Sequence, residues 1–382
     1  MGSPGRGEVW LMDTLQSYIK HVDMASEPKK SRQYEKRVLV TGGAGFIGSH
    51  MVIHLVKKYP NYYVVNFDKL DYCASLRNLK EIEDSPNYKF IKGDICDSPL
   101  VRQVFKDEEI NTVMHFAAQT HVDNSFWSSL EFNHTNVYGT QVILNAACEV
   151  GVDRFIHISS DEVYGGNSTV EMDETVPMQP TNPYAGTKAA AECVVLAYWQ
   201  SYKLPVIVTR SNNAYGPHQY PEKVIPKFVS LLERNRKCVV YGDGSPIRNY
   251  IYVTDLAEAY DVILHKGTPG DIYNIGTESQ ISALDLAKYL VREVKQVQSD
   301  EDVMKYIEFV EDRPFHDRMY PLTWNKVRNL GWAPKTTFEE GIRQTVKWYQ
   351  NEDNFNNWDQ AEKALKSFNF SETKPQKGLN RA

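Results

Sequence analysis

The stretch TGGAGFIG, residues 41–48, follows the β-rich run RVLVT at 37–41 and opens a helix. Two glycine registers fit it, Gly43-x-Gly45-x-x-Gly48 and Gly42-x-x-Gly45-x-x-Gly48. Glycines at a strand-to-helix turn let the chain turn tightly, let a pyrophosphate approach backbone N–H groups, and let the helix pack closely on its strand. The helix N-terminus then faces the negative charge. The stretch therefore predicts a dinucleotide-binding turn.

An acidic residue lies where the adenosine ribose of a dinucleotide needs one. Asp68 ends the run from Tyr62 to Asp68, which predicts the second strand, and it lies about twenty residues past the last glycine. A carboxylate there accepts hydrogen bonds from both ribose hydroxyls and repels a 2′-phosphate, so the sequence predicts NAD rather than NADP. The neighbouring Lys69 leaves some tolerance for that phosphate. Asp94 and Ile95 follow the third predicted strand, where they either meet the adenine amino group or form an ordinary Asp turn.

From Lys36 onward, short β-rich runs alternate with longer helical stretches, which is typical of βαβ units in a parallel sheet. We therefore predict an α/β fold, a Rossmann-type doubly wound parallel sheet with a smaller C-terminal α/β substrate-binding lobe. The predicted strands are residues 37–41, 62–68, 88–91, 112–116, 154–159 and 205–210.

The chain divides into four predicted segments. Residues 1–35 form a flexible N-terminal extension, because Gly, Pro and Lys dominate them. Residues 36–215 form the NAD-binding domain, with later strands at 250–276 free to rejoin it. Residues 216–365 are mainly a substrate lobe, and 366–382 are a tail.

Composition excludes several classes of protein. The 382 residues are 42% hydrophobic and 24% charged, which fits a chain with a buried core. A net charge of -6 provides no basic field for nucleic acid. The five cysteines are widely spaced and form no CxxC pair, so they predict neither a disulfide framework nor a metal site. With no membrane-spanning run and no signal peptide, we expect a cytoplasmic protein that does not bind membranes.

A second motif suggests catalysis. Tyr184 and Lys188 stand four residues apart at the start of a predicted helix, so both project from one face. A tyrosine base must ionise well below its usual pKa of about 10, and a nearby lysine cation favours the phenolate. The motif follows SSDEVYG, residues 159–165, at a predicted strand end, where sites in open α/β sheets collect.

Together these motifs resemble the extended short-chain dehydrogenase/reductase superfamily, and within it the nucleotide-sugar 4,6-dehydratases, from Arg37 to about Leu365. The most specific match is SDE at 160–162, where the family normally carries Thr-Asp-Glu. YAGTK at 184–188 replaces the more common Tyr-Ser-Ala-Ser-Lys and keeps both reacting groups. Ala214 departs from the bacterial enzymes linked to deoxythymidine diphosphate, where a second Asn is usual.

The resemblance implies a reaction that converts a nucleoside-diphosphate glucose to its 4-keto-6-deoxy derivative and water. Tyr184, supported by Lys188, takes the proton of the sugar 4-hydroxyl, while Ser160 holds that oxygen. Glu162 then removes the C5 proton and Asp161 protonates the departing 6-hydroxyl. Two adjacent carboxyls suit this division because mutual repulsion separates their pKa values.

The resemblance also implies two sets of binding residues. Those for NAD are Gly42, Gly45, Phe46, Ile47, Gly48, Asp68, Lys69, Asp94, Ile95, Ala117, Ala118, Tyr184 and Lys188. Those for the nucleotide sugar are Ser160, Asn213, Lys223, Val224, Arg248, Asn274, Arg313 and His316. The cations among them suit a pyrophosphate.

Three alternatives share parts of this pattern. A nucleotide-sugar 4-epimerase and a UDP-glucuronate decarboxylase share the fold, the NAD site and the initial oxidation, but neither needs both Asp161 and Glu162. A catalytically silent NAD-binding regulator would not need the intact catalytic set. Segments such as DKLDY at 68–72 resemble those of eukaryotic members of the family, whose sugar donor is typically UDP-glucose. The resemblance therefore favours UDP-glucose over dTDP-glucose.

Relatives dimerise through two helices per chain, so we expect a homodimer. Here those helices are residues 137–150 and the Tyr184 helix, with Val194, Val195 and Tyr198 predicted on its outer face.

Overall fold

In the computed structural model of the protein, residues 34–166, 170–313 and 316–366 are described. The predicted N-terminal extension lies outside these ranges apart from Tyr34 and Glu35, and the predicted tail lies outside them apart from Lys366.

The strands follow the β-rich runs of the sequence closely. They are β1 Lys36–Thr41, β2 Tyr62–Asp68, β3 Tyr88–Lys92, β4 Thr112–His115, β5 Arg154–Ile158, β6 Val206–Ser211, β7 Asn213–Tyr215, β8 Cys238–Tyr241, β9 Ile247–Tyr252, β10 Ile272–Ile275, β11 Gln280–Ser282 and β12 Ile307–Val310.

The helices fill most of the segments between them. They are α1 Phe46–Lys58, α2 Ser98–Asp107, α3 Val122–Ser125, α4 Ser129–Asn133, α5 Thr140–Val150, α6 Pro183–Tyr202, α7 Val224–Glu233, α8 Val253–Lys266, α9 Ala283–Lys295, α10 Asp300–Met304, α11 Asn325–Asn329, α12 Phe338–Tyr349, α13 Glu352–Phe355 and α14 Ala361–Ala364. A π-helical segment, His134–Gly139, joins α4 to α5.

Seven strands form one sheet in the order β10-β6-β5-β4-β1-β2-β3. Every pairing in it is parallel, so the predicted doubly wound fold is confirmed. The chain order reverses between β1 and β4, and in open α/β sheets ligands bind in the crevice at such a point, beyond the carboxyl ends of the strands. The glycine stretch at 41–48 starts at the carboxyl end of β1.

Both faces of the sheet are covered, as parallel sheets require. Val38 and Val40 point into a core shared with α1 and α8, whereas Leu39 points into a second core shared with α2, α5 and α6. This alternation follows from the period of two in a strand. Val195 belongs to the second core and is fully buried, so its predicted place on an outer helix face is wrong.

The later part of the chain is shared between two structures. Strand β10 pairs with β6 and so rejoins the main sheet, while α8 packs against its first core. A separate core is built from α7, α9 and α12 together with the three-stranded sheet β11-β9-β7 and the pair β12-β8. This smaller lobe includes β7, Asn213–Tyr215, and otherwise consists of residues after it. No helix in the described ranges is long and apolar enough to cross a membrane.

Candidate active site

A cavity of about 460 Å³ brings most of the predicted site together. Its walls come from the carboxyl ends of the main-sheet strands on one side and from the smaller lobe on the other. Two of the predicted residues, Asp161 and Asn274, are not among its lining residues. The predicted residues that line it are Gly42, Gly45, Phe46, Ile47, Gly48, Asp68, Lys69, Asp94, Ile95, Ala117, Ala118, Ser160, Glu162, Tyr184, Lys188, Asn213, Lys223, Val224, Arg248, Arg313 and His316.

The glycine turn forms a cradle at one end of this cavity. Gly42 has φ +70°, which disfavours other residues, and a Cβ there would lie 2.7 Å from the backbone nitrogen of Ala117. A Cβ on Gly48 would collide with the carbonyl oxygen of Gly42. No side chain caps helix α1 at Gly45, and its first turn carries no acidic residue. Its N-terminus is therefore open to an anion, and the residues fit the pyrophosphate of a dinucleotide.

The two possible glycine registers have different roles in the structure. Gly42, Gly45 and Gly48 line the cavity, whereas a Cβ on Gly43 would collide with the side chain of Asn66 on β2. Gly43 therefore serves the packing of the turn on the sheet.

Asp68 stands at the end of β2 and is held by the turn itself. Its Oδ2 accepts a hydrogen bond from Ala44 N at 3.0 Å, and its Oδ1 accepts one from Leu70 N at 2.8 Å. Burial raises the pKa of Asp68, against which these two bonds act. Nearby, Lys69 Nζ lies 3.1 Å from Asp71 and 3.8 Å from Asp94. These carboxylates engage the lysine that could otherwise favour a 2′-phosphate, which fits NAD.

Helix α6 carries Tyr184 and Lys188 on one face because the two residues are four apart. Asn182 and Pro183 fix where this helix starts. Asn182 Oδ1 accepts a hydrogen bond from Ala185 N at 2.8 Å, and proline suits the first helical turn. Lys188 Nζ donates to Ile158 O at 2.6 Å, at the end of β5. The Lys188 side chain is thus anchored by the main chain of β5, and the cap fixes the helical turn that carries Tyr184.

The electrostatics of this pair differ from the expectation. Burial raises the pKa of Tyr184, and the negative charge of Glu162 raises it further. Burial also lowers the pKa of Lys188 to about 8, against which the carboxylate of Glu192 acts. Burial thus outweighs the expected lowering of the tyrosine pKa, because both groups lie in an environment that disfavours charge.

Ser160, Asp161 and Glu162 form a short turn at the end of β5. Ser160 Oγ accepts from Glu162 N at 3.2 Å and donates to Asp161 Oδ1 at 3.3 Å. Burial raises the pKa of Asp161 to about 7, with Glu162 adding to the rise. Burial also raises the pKa of Glu162, while the hydrogen bond from Asn182, at 3.0 Å, lowers it. The two carboxyls therefore differ in exposure and in partners, since Asp161 is buried behind the wall and Glu162 is partly buried and lines the cavity.

The predicted pyrophosphate cations already contact the protein across the cavity. Lys223 Nζ donates to Thr120 O at 2.7 Å, and Arg313 Nε lies 2.8 Å from Asp123 Oδ1. Arg248 donates to the carbonyl oxygen of Asp317 at 3.0 Å. These contacts place three positive charges on the smaller-lobe side of the cavity.

Two further predictions concern the same segments. His316 lines the cavity with its Nδ1 2.8 Å from Asp312 Oδ1, whereas Pro314 and Phe315, which belong to the same predicted segment, lie outside the described residues. Asn274 does not reach the cavity, which corrects its predicted substrate contact. It is fully buried on β10, where its Nδ2 donates to Met172 O and Thr323 O, each at 3.1 Å.

Two asparagines that hold the carboxyl pair, Asn182 and Asn212, were not predicted in this role, and the resemblance grouped Asn212 in NNAYGP at 212–217 only with the nucleotide-diphosphate contacts. Asn182 donates to Glu162, and Asn212 Nδ2 donates to Asp161 Oδ2 at 2.9 Å. The Asn-Pro pair before a helix was a visible signal for Asn182 as a cap. No pattern could have shown that Asn212 meets a carboxyl 51 residues away.

A glycine cradle at the switch point of a doubly wound sheet, opposite a tyrosine and lysine on one helix face, defines an NAD-dependent enzyme of the short-chain dehydrogenase/reductase class. Residues 39–345 match the family model described as GDP-mannose 4,6 dehydratase. The chain belongs to this dehydratase family.

Three relatives make the likeness concrete. The chain is 56% identical over 335 residues to a dTDP-D-glucose 4,6-dehydratase of Bos taurus, covering 88% of this chain and 94% of that one. It is 49% identical to a trifunctional UDP-glucose 4,6-dehydratase, epimerase and reductase of Arabidopsis thaliana, covering 82% of this chain and 47% of that one. A Streptomyces venezuelae dTDP-glucose 4,6-dehydratase solved with NAD bound superposes with a TM-score of 0.80 at 37% identity, covering 85% and 99% of the two chains. The protein is an NAD-dependent nucleotide-sugar dehydratase, a hydro-lyase.

Proposed function

We propose that the protein converts a nucleoside-diphosphate glucose to the 4-keto-6-deoxy sugar nucleotide and water. The observation that carries this proposal is that Tyr184, Ser160 and Glu162 line the same cavity as the glycine cradle, with the carboxyl of Asp161 directly behind them. In this proposal residues 36–215 mainly bind NAD and residues 216–365 mainly bind the nucleotide sugar.

The first half of the reaction is oxidation at C4. Tyr184 accepts the proton of the 4-hydroxyl while Ser160 donates a hydrogen bond to that oxygen. The glycine cradle and Asp68 would hold NAD, which would supply the hydride acceptor for C4, the hydride donor for C6 and a positively charged nicotinamide ring. A positive charge is needed there, because burial and Glu162 raise the pKa of Tyr184. Lys188, one helical turn further on, adds a second charge from the protein.

The second half is loss of water across C5 and C6. The new ketone acidifies the C5 proton, which Glu162 removes as a base. Asp161 suits the role of acid, since burial raises its pKa to about 7 and a sizeable fraction is protonated near neutral pH. Burial raises the pKa of Glu162 as well, but the hydrogen bond from Asn182 and the positive charges of Arg248 and Lys223 act against that rise and so favour its ionised form relative to burial alone.

The nucleotide base is the finer part of the proposal. The resemblance of segments such as DKLDY at 68–72 to eukaryotic members favours UDP-glucose, and the plant relative is named for that substrate. The mammalian relative and the Streptomyces structure are named for dTDP-glucose. The match to this protein extends over nearly the whole length of each of them. We therefore propose dTDP-glucose as the substrate to test first, with UDP-glucose beside it.

One experiment tests the function and the base together. Purified protein is incubated with each glucose nucleotide without added NAD, and the products are followed by mass spectrometry. We expect loss of one water from at least one nucleotide, with tightly held NAD sufficient for turnover. Unchanged mass with altered chromatographic mobility would indicate an epimerase, and NAD binding without any change of sugar would indicate a silent regulator. Loss of carbon dioxide from UDP-glucuronate would indicate a decarboxylase.

We also propose a cytoplasmic homodimer. Helices α5 and α6 lie side by side, and the hydroxyl of Tyr198 donates to Asn145 between them. Large apolar side chains stay exposed nearby, with Leu130 84%, Tyr138 44% and Tyr202 49% exposed. A surface of this kind favours association. Light scattering at micromolar concentration should give twice the mass of one chain, and a monomer would contradict the proposal.

A further inference from the structure

Asn212 is the side chain that connects the buried carboxyl of Asp161 to the cavity wall. Asn212 lines the cavity, whereas Asp161 does not and is 2% exposed. The two side chains meet because β5 and β6 are neighbours whose carboxyl ends point the same way. Asn212 follows β6 directly, and its backbone N–H donates to Ile275 O at 3.0 Å. Its position is therefore set by the sheet.

The orientation of the Asn212 amide is fixed by a backbone donor. Thr277 N–H donates to Asn212 Oδ1 at 3.2 Å, and a backbone N–H can only donate. The amide NH₂ must therefore face Asp161, where it donates to Oδ2 at 2.9 Å. Gly276 leaves room for this arrangement, because a Cβ there would lie 2.8 Å from Asn212 Oδ1. The amide cannot turn over without losing both hydrogen bonds.

We infer that Asn212 is a positioning residue that keeps the transferable proton of Asp161 on Oδ1, the carboxyl oxygen beside Ser160. An N–H donor at Oδ2 favours the lone pairs of that oxygen and disfavours a proton on it. Ser160 beside Oδ1, at 3.3 Å, and Asn212 beside Oδ2 both line the cavity, but only the Asn212 amide is restricted to donating, because the Ser160 hydroxyl can turn to accept a proton from Oδ1. This inference rests on the proposed function, in which Asp161 is the acid.

The proton balance follows directly. Glu162 takes the C5 proton, a C5–C6 double bond forms, and the C6–O bond breaks. The proton on Asp161 Oδ1 joins the departing hydroxyl to give water, and a carboxylate remains. The Asn212 donor stabilises that carboxylate, because hydrogen bonds to charged groups are the stronger ones. Asn212 thus favours transfer of the proton from Oδ1 and stabilises the Asp161 carboxylate that the transfer leaves.

The test is a double-mutant cycle with Asn212→Ala and Asp161→Asn. We expect Asn212→Ala to slow product formation about 10- to 100-fold, the effect of losing one hydrogen bond to a charged group. Oxidation at C4, followed by absorbance of the reduced cofactor in a single turnover, should stay within about twofold of the parent protein. In the Asp161→Asn background the same change should cause no further loss, because an amide at position 161 has no transferable proton for Asn212 to place.

The pH profile provides a readout that a merely structural role would not move. The hydrogen bond from Asn212 lowers the pKa of Asp161, so its removal raises that pKa and shifts the alkaline limb of product formation to higher pH. Asn249→Ala is the matched control, since Asn249 Nδ2 donates to Thr277 O at 2.7 Å and no hydrogen bond joins it to Asp161 in the described part of the chain. It should leave the alkaline limb in place.

Asn212→Asp covers the case in which Asn212→Ala does not fold. It keeps an acceptor for Thr277 N–H and replaces the donor with a second carboxyl, so the alkaline limb should again move to higher pH. The inference would be overturned if Asn212→Ala slowed product formation by the same factor in the parent protein and in the Asp161→Asn background. An unmoved pH profile in a folded Asn212 variant would also overturn it. Absence of water loss in the unchanged protein would instead overturn the proposed function.

Discussion

Asn182 Nδ2 donates a hydrogen bond to Glu162 Oε2 at 3.0 Å. The same side chain accepts from Ala185 N through its Oδ1 and so caps the helix that carries Tyr184. Asn182 therefore fixes the start of α6, the helix that carries Tyr184, and also orients Glu162, the proposed base of the elimination.

Replacing Asn182 should separate these two contributions. Asn182→Asp keeps a good cap but loses the donor to Glu162, whereas Asn182→Ala loses both. We expect Asn182→Ala to lower the free energy of unfolding by about 1 kcal/mol relative to Asn182→Asp. In both variants the pKa of Glu162 should rise, because the lost bond lowers it.

A base works only when ionised, so in both Asn182 variants the acidic limb of product formation should move to higher pH. Thermal unfolding and the pH dependence of product formation measure the two effects. An unmoved acidic limb in Asn182→Asp would show that this hydrogen bond does not tune the base.

The sequence predicted the main sheet well because hydrophobic runs bounded by turns are local signals. Strand β2 has the predicted bounds, and β1 differs only by Lys36. The glycine turn was also predictable, since its neighbours along the chain determine its shape. Its register was not, because the side chain that excludes a Cβ at Gly43 is Asn66 on another strand.

The site was less predictable where strands far apart in sequence meet. Asn274 looked like a ligand of the substrate, yet the hydrogen bonds to Met172 and Thr323 hold it in the interior. The contact of Asn212 with Asp161 carried no sequence signal, because it arises from the packing of β5 beside β6. Tertiary contacts of this kind are absent from any local pattern.

Tyr184→Phe should remove the base of the first step. We expect product formation to fall 10²- to 10⁴-fold, the usual effect of losing a general base. No reduced cofactor should form on mixing with substrate, and NAD binding should remain. Tyr202→Phe, at the exposed end of the same helix, is the control and should retain activity. Formation of reduced cofactor by Tyr184→Phe would reassign the base.

Glu162→Gln should stall the reaction after oxidation. The amide cannot accept the C5 proton, but it leaves Tyr184 and Lys188 unchanged. Stopped-flow absorbance should therefore show reduced cofactor building up on the enzyme, while the 4-keto-6-deoxy product forms at least about 10²-fold more slowly. Loss of both signals together would mean that Glu162 also serves the oxidation.

Two stacked, partly buried histidines should make the protein sensitive to acid. His50 and His218 stack with ring centroids 4.5 Å apart, and burial lowers the pKa of His50 to about 4 and that of His218 to about 3. Below pH 6.5 the unfolded chain binds protons that the folded chain does not, so the free energy of unfolding falls as the pH drops towards 4. His50 alone contributes on the order of 3 kcal/mol to this fall.

His50→Gln isolates that contribution, because glutamine can still donate to Pro217 O, as His50 Nε2 does at 3.0 Å, without titrating in this range. Denaturant unfolding at several pH values should give a shallower loss of stability than in the parent protein. Exposed His134, changed to Gln, should leave the slope unchanged. His115 and His157 are also buried with lowered pKa values, so part of the acid sensitivity should persist in every variant. Equal slopes for His50→Gln and the parent would contradict the prediction.

Deuterium placed at C4 of the glucose tests the whole reaction course. The proposed reaction places the glycine cradle and the catalytic residues in one cavity of about 460 Å³, so hydride taken from C4 should return to C6 of the same molecule before the product leaves. Mass spectrometry of the product should locate the label at C6, and a mixture of labelled and unlabelled substrate should show no exchange between molecules. Glu162→Gln should hold the label on the enzyme-bound cofactor. Label returned to C4 with inverted configuration would indicate an epimerase, and label lost to solvent would exclude direct transfer. Return of the label to C4 with the 6-hydroxyl retained would remove the roles of Asp161 and Glu162 as an elimination pair, since that pair is required only if C6 loses its hydroxyl.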